Sequence, residues 1–237
     1  PSEPKIVSLY LTHLSKNSKI STLRRRLVSI SMVHKLKGHY LDTKHPIIVE
    51  NLMGIRRVKG SFQKGKKPIL INNLKSIINV IDEKKIDEIK KLRDKSIILI
   101  GFGGGFRRSE LISIDHEDLE FVPEGLKITI KRSKTDQYGE GMTKGLPYFD
   151  NQIYCPVVNL KKWLEISKIK SGPIFRRFSK GSSLTDKRLT DQSVVLLIKQ
   201  YLNLAGIDSK NFSGHSLRSG FATVAAESGA EERSIMA

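Results

Sequence analysis

Cysteine is almost missing from this chain: its 237 residues contain one, Cys155. A lone thiol closes no internal disulfide and has no companions for a zinc cluster, which excludes a disulfide-stapled secreted scaffold and a zinc finger. Cys155 is therefore expected to be a structural residue. Long apolar runs are missing too. The longest, residues 96–102, reads S-I-I-L-I-G-F, far below the roughly 18 residues that suggest a membrane span. No signal peptide opens the chain, so no membrane partner is expected and the location read from sequence is cytoplasmic, nucleoid-associated. The scarcest charge is negative: 24 Asp and Glu stand against 42 Lys and Arg, a formal net charge of +18. With 38% hydrophobic and 28% charged residues, the composition is that of a folded globular protein rather than a disordered or collagen-like one.

The positive excess is uneven. Residues 1–70 hold 15 Lys and Arg against 3 Asp and Glu, and the remainder hold 27 against 21. An electropositive front third fits a polyanion, and phosphate contacts of this kind give strong but sequence-blind affinity. The candidate DNA-binding residues are the clusters Arg24, Arg25 and Arg26; Arg56 and Arg57; and Lys64, Lys66 and Lys67. A membrane surface fits less well, because these residues do not face a Trp- or Phe-rich apolar side.

Apolar positions Leu23, Leu27, Ile30 and Val33 recur at helical spacing over residues 21–34, with Ser21 as the expected cap. A second helix is expected over 47–58 from Ile48, Leu52 and Ile55, with Pro46 in its first turn. The Gly- and Lys-rich stretch 60–68 breaks the pattern and reads as a charged linker. Helices are then expected over 69–80 and 84–100, with a Gly-rich break at 101–105 and a new helix near Arg107. Alternation of Leu126, Ile128 and Ile130 with Lys127, Thr129 and Lys131 predicts a strand, and 143–148 predicts its hairpin partner. Further helices are expected over 157–169, 191–205, 217–227 and 231–236. The fold class expected is mainly α with a small antiparallel β-sheet.

The Gly-rich break is neither a dinucleotide fingerprint, which needs Gly where Phe106 stands, nor a P-loop, which needs Gly-Lys-Ser/Thr. Its expected role is to turn the chain tightly ahead of Arg107-Arg108-Ser109-Glu110. Further on, His215 and Arg218 stand three apart, so a helix start would project them to one side. An arginine fork donates to two phosphate oxygens at once and a histidine relays a proton near neutrality. The run Asp115-His116-Glu117-Asp118 invites a metal site but reads more simply as a solvated connection, so no metal and no cofactor are expected.

Three segments occur in order: Gly105-Phe-Arg107-Arg-Ser-Glu110-Leu111, Lys131-Arg-Ser-Lys134-Thr-Asp136 and Gly214-His215-Ser-Leu-Arg218-Ser-Gly220. Together they resemble the catalytic boxes of tyrosine recombinases, the phage integrase family with its Cre-like and Xer-like members. Residues 21–30 and His34 are similar to that family's helical core-binding domain. The resemblance implies a two-domain clamp: a core-binding domain at 1–62, a linker at 63–70 and a mixed α+β catalytic domain at 71–237. It assigns Arg107 and Arg218 to grip the scissile phosphate, Glu110 to support the site, His215 to handle a proton and Lys134 to protonate the leaving 5′ oxygen. The implied chemistry is metal-free transesterification through a 3′ phosphotyrosyl intermediate, on double-stranded DNA, by a tetramer assembled on it.

The nucleophile departs from that pattern. The family's tyrosine follows the His-x-x-Arg box, whereas Tyr10, Tyr40, Tyr138, Tyr148, Tyr154 and Tyr201 all precede it. The expectation is a nucleophile beyond Ala237, so that the chain as it stands binds DNA without cleaving it. Two alternatives stay open: a catalytically inactive DNA-binding regulator, and a type IB topoisomerase.

Overall fold

The computed structural model describes residues 1–60, 62, 65–132 and 141–230. Lys64, Lys134, Tyr138 and the helix expected over 231–236 lie outside them. The chain divides into two compact units, Pro1–Gly65 and Lys66–Ala237, each with its own apolar core.

The first unit packs α1 (Pro4–Ser15), α2 (Ile20–Leu36) and α3 (Pro46–Lys59) around Val7, Leu11, Leu23, Leu27, Leu41, Ile48 and Ile55. Proline opens α1 and α3, where its missing N–H costs nothing. Polar glue joins these two helices: the Asn51 amide donates to Ser8 Oγ at 2.6 Å and to Ser8 O at 2.8 Å. Two sequence expectations need correction here. The cap of α2 is Lys19, without a side-chain capping bond, so Ser21 lies inside the helix. Val33 is exposed and His34 is buried in its place, because positions 23, 27, 30 and 34 follow the 3.6-residue period more closely. Burial of His34 is satisfied at both ring nitrogens. Nε2 accepts from the Ser2 N–H at 2.9 Å, and Nδ1 lies 2.8 Å from the Ile30 carbonyl.

The second unit is mainly helical with small antiparallel sheets. Its helices are α4 (Ile71–Glu83), α5 (Glu88–Gly103), α6 (Arg108–Ser113), α7 (Pro156–Ser167), α8 (Asp191–Leu204) and α9 (Ser216–Glu227). A three-stranded antiparallel sheet runs in the order β1 (Leu119–Val122), β2 (Gly125–Ile130), β3 (Met142–Pro147). The expected hairpin is thus the β2–β3 pair, with Ile128 opposite Lys144. Short strands β4 (Arg176–Phe178) and β5 (Leu184–Arg188) form a second sheet.

Helix α5 is the centre of this unit. Its residues Ile97, Ile98, Leu99 and Ile100 are buried in succession, so the helix is enclosed on all sides rather than along one stripe, and each such side chain stabilises the fold by roughly 1.5–3 kcal/mol. Trp163 of α7 is fully buried and donates its Nε1–H to the Ile174 carbonyl at 2.9 Å. Cys155 is buried at the start of α7, where its Sγ accepts the Phe149 N–H. Among the described residues no helix is long and apolar enough to cross a membrane.

One buried polar node links α5 to α8. Asp94 Oδ1 takes Arg93 Nη2 at 2.7 Å, and Asp94 Oδ2 accepts the Tyr201 hydroxyl at 2.8 Å. Burial, and then the Asp94 carboxylate, push the phenol pKa well above its ordinary value. A folded-state pKa above the unfolded one gives stability that is present below about pH 10 and lost as pH rises past it, when only the unfolded phenol ionises. Tyr201→Phe is expected to cost roughly 1–2 kcal/mol at pH 7, with the gap to the parent protein shrinking at about pH 11. Urea unfolding at both pH values checks this; an unchanged gap would count against the node.

Candidate functional site

The Gly-rich break expected over 101–105 is shorter in the structure: α5 runs on through Gly103, and the chain turns at Gly104 and Gly105. Gly105 sits at φ +56°, and a Cβ there would lie 2.6 Å from Phe221 Cδ1, so both the turn and the close approach of α9 require glycine. Phe106 then enters the core, which fixes the next residue, Arg107, as the cap of α6. Glu110 holds that corner with both oxygens: Oε2 accepts the Arg107 backbone N–H at 2.9 Å and Oε1 pairs with Arg107 Nη1 at 2.6 Å. The Glu110 side chain is 3% exposed and that of Arg107 25%. The carboxylate is thus a buried strut, while the Arg107 side chain remains partly exposed.

The second box arrives from the far end of the chain. His215 caps α9 and is exposed; its backbone N–H donates to Ser213 Oγ at 3.3 Å. One turn on, Arg218 Nη1 donates to the Gly105 carbonyl at 2.6 Å. This bond brings Arg218 to the same corner as Arg107. Two guanidinium groups beside a helix start are well suited to an oxyanion, since they add fixed, bidentate donors to the partial charge of the helix terminus.

A third cation stands there that the sequence reading did not single out. Lys144 lies on β3, and its ammonium is 5.7 Å from the centre of the Phe106 ring. Its pKa is lowered chiefly by burial, next by Arg218, with Glu110 opposing and Arg107 adding. The signal that marks it is strand alternation: Met142, Lys144 and Leu146 share the less exposed face of β3.

Other sequence candidates fall elsewhere. Arg108 pairs loosely with Asp191 at 3.8 Å. The 115–118 cluster is used structurally: Asp118 pairs with Lys131 at 2.7 Å, Asp115 with Arg188 at 2.5 Å, and Glu117 accepts the Gly172 N–H at 3.0 Å. Arg24, Arg25 and Arg26 are exposed on α2, and Arg56 and Arg57 are exposed at the end of α3. Of these, Arg24 lines a cleft that it shares with Leu27, Met32, Lys35 and Leu52. Lys66 and Lys67 belong to the second unit, where Lys66 Nζ donates to Lys210 O and the Lys67 N–H to Asn211 O at 2.7 Å.

This fold, with Arg107 and Arg218 brought to one glycine turn, is that of the recombinase catalytic domain. Solved structures agree at the level of fold: XerH site-specific recombinase bound to palindromic difH substrate superposes with a TM-score of 0.71 at 16% identity, over 96% of this chain and 62% of that one. A lambda integrase dimer bound to a COC' core site gives 0.60 at 14% identity, over 98% and 62%. The profile of the Phage integrase family matches residues 69–237, and the chain belongs to that family. It is 41% identical over 239 residues to the integrase/recombinase xerD homolog of Selenomonas ruminantium, covering all of this chain and 69% of that protein. Against tyrosine recombinase XerD of Proteus mirabilis the identity is 29% over 161 residues, or 66% of this chain and 46% of that one. The chain spans about half the length of several such relatives.

Proposed function

We propose that the chain is the phosphate-gripping part of a tyrosine-type site-specific recombinase that breaks and rejoins double-stranded DNA. The observation that carries this reading is the convergence of Arg107, braced by buried Glu110, and Arg218, tied to the Gly105 carbonyl. In the proposed reaction a tyrosine oxygen bonds to phosphorus as the bond to the 5′ oxygen breaks. Arg107 and Arg218 balance the charge that grows on the nonbridging oxygens. His215 and Lys134 handle the protons, Lys134 giving one to the leaving 5′ oxygen. Religation reverses the step. The first unit adds non-specific phosphate contacts through Arg24, Arg25, Arg26, Arg56 and Arg57, and Lys66 and Lys67 add theirs from the second. In domain terms, residues 1–62 are the core-binding part, 63–70 the linker and 71–237 the catalytic part. The assemblies of lambda integrase, a dimer on a core site and a tetramer on a Holliday junction, support assembly of several copies on DNA.

The nucleophile is proposed to be none of this chain's six tyrosines. In the second unit Tyr201 is engaged with Asp94, Tyr154 with Asn79 and Tyr148 with Lys161. The purified chain is expected to bind duplex DNA with an affinity that falls by about a thousandfold between 50 and 200 mM salt, and to leave no covalent adduct on a denaturing gel. Salt-insensitive binding, or an adduct, would overturn this reading. Relaxation of supercoils without site preference would favour the topoisomerase alternative.

A further inference from the structure

We infer that Lys144 is a further phosphate-binding residue of this site, directed at the same anion as Arg107 and Arg218. The inference rests on the function proposed above and extends its site to the three-stranded sheet. Three observations carry it. Strand pairing sets Lys144 opposite Ile128, which is fully buried, and the alternation of β3 puts Lys144 on the face that it shares with Met142 and buried Leu146. A lysine on the inward face of a strand loses hydration without the return that an apolar side chain would give. Its stem is long enough to carry the ammonium to the edge of the core, and it ends over Phe106, the residue between Gly105, which accepts from Arg218, and Arg107 itself. Both guanidinium groups are near enough to disfavour its charge, with Glu110 working the other way. Bringing three cations to one corner is unfavourable in the free protein and favourable once a phosphodiester arrives, which is the pattern of a site arranged for the bound state.

A lysine that only packs against Phe106 would not discriminate between phosphates, and this separates the two roles. A duplex that the chain selects from a random-sequence pool is resynthesised with a neutral methylphosphonate at each position in turn. In the parent protein one position is expected to weaken binding most, and Arg107→Ala and Arg218→Ala should each shrink the penalty at that position alone. Lys144→Met keeps the stem and its apolar contacts. It should shrink the same penalty by about tenfold, the size expected for a charge-assisted hydrogen bond, and Lys144→Arg should restore most of it. A Lys144→Met protein that loses affinity equally at every position would overturn the inference, leaving Lys144 a packing residue. If no position couples to either arginine, the proposed function itself fails, which is a separate outcome.

Discussion

In a recombinase that carries this chain together with a tyrosine nucleophile, Arg107→Ala is expected to slow DNA strand cleavage by about 100- to 1000-fold, the usual effect of deleting one fixed donor to a developing oxyanion. The fold should largely survive. The bond from the Arg107 backbone N–H to Glu110 Oε2 does not involve the guanidinium, so the start of α6 keeps its cap. What is lost is one partner of a carboxylate that is 3% exposed, at roughly 1–3 kcal/mol. Arg107→Lys should recover stability better than rate, because an ammonium pairs with Glu110 but lacks the planar fork that holds a second anion at the same time. Single-turnover cleavage and thermal unfolding of both variants separate the two effects. Equal losses of rate and stability would mean that Arg107 is only a strut.

Gly220→Ala is expected to be among the most damaging single-methyl changes in the second unit. A Cβ at Gly220 would lie 2.0 Å from the Ile69 carbonyl oxygen, a backbone atom, and 3.1 Å from Phe102 Cε2. The Ile69 N–H donates to the Ser216 carbonyl at 2.9 Å on the same helix, so α9 is held against that strand of chain from two sides. Overpacking at such a contact costs roughly 3 kcal/mol, or roughly 6–12 °C in Tm for a protein of this size. Relief requires α9 to move, and α9 carries Arg218, so phosphate binding should fall with stability; a displacement of about 1 Å is enough to matter at a reacting centre. Gly54→Ala in α3 is the control. Nothing lies within 4 Å of its Cβ position, and alanine in a helix interior should stabilise by roughly 0.5–1 kcal/mol. Calorimetry of the two variants tests the contrast.

What could be read from the sequence was local. The apolar period set α2, α3, α4, α8 and α9 to within a few residues of the observed bounds, and alternation set β2 and β3. Residues whose role depends on a distant partner were not readable in the same way. The strands β4 and β5 were missed because they are short and rich in Arg, Lys and Asp, with no alternation to betray them. Ser21 was expected to cap α2 because its side chain suits that position, but packing of Ile20 into the first core moved the helix start upstream. Val33 and His34 exchanged places because the ring of His34 finds Ser2, across 32 residues.

The candidate site divides along the same line. The sequence alone supplied the patterns from which the site is proposed: an arginine followed by a glutamate three residues on, and a histidine followed by an arginine at the same spacing, each a local pattern. It also determined the positive charge and where that charge concentrates. Tertiary structure decided that the two patterns meet, through the Arg218 bond to Gly105 across 113 residues, and that Lys144 joins them from β3. The physical reason is range. Spacing along a chain fixes which side chains share a face of one helix or strand, whereas which faces then meet depends on how α5, α9 and the sheet bury their apolar surface together.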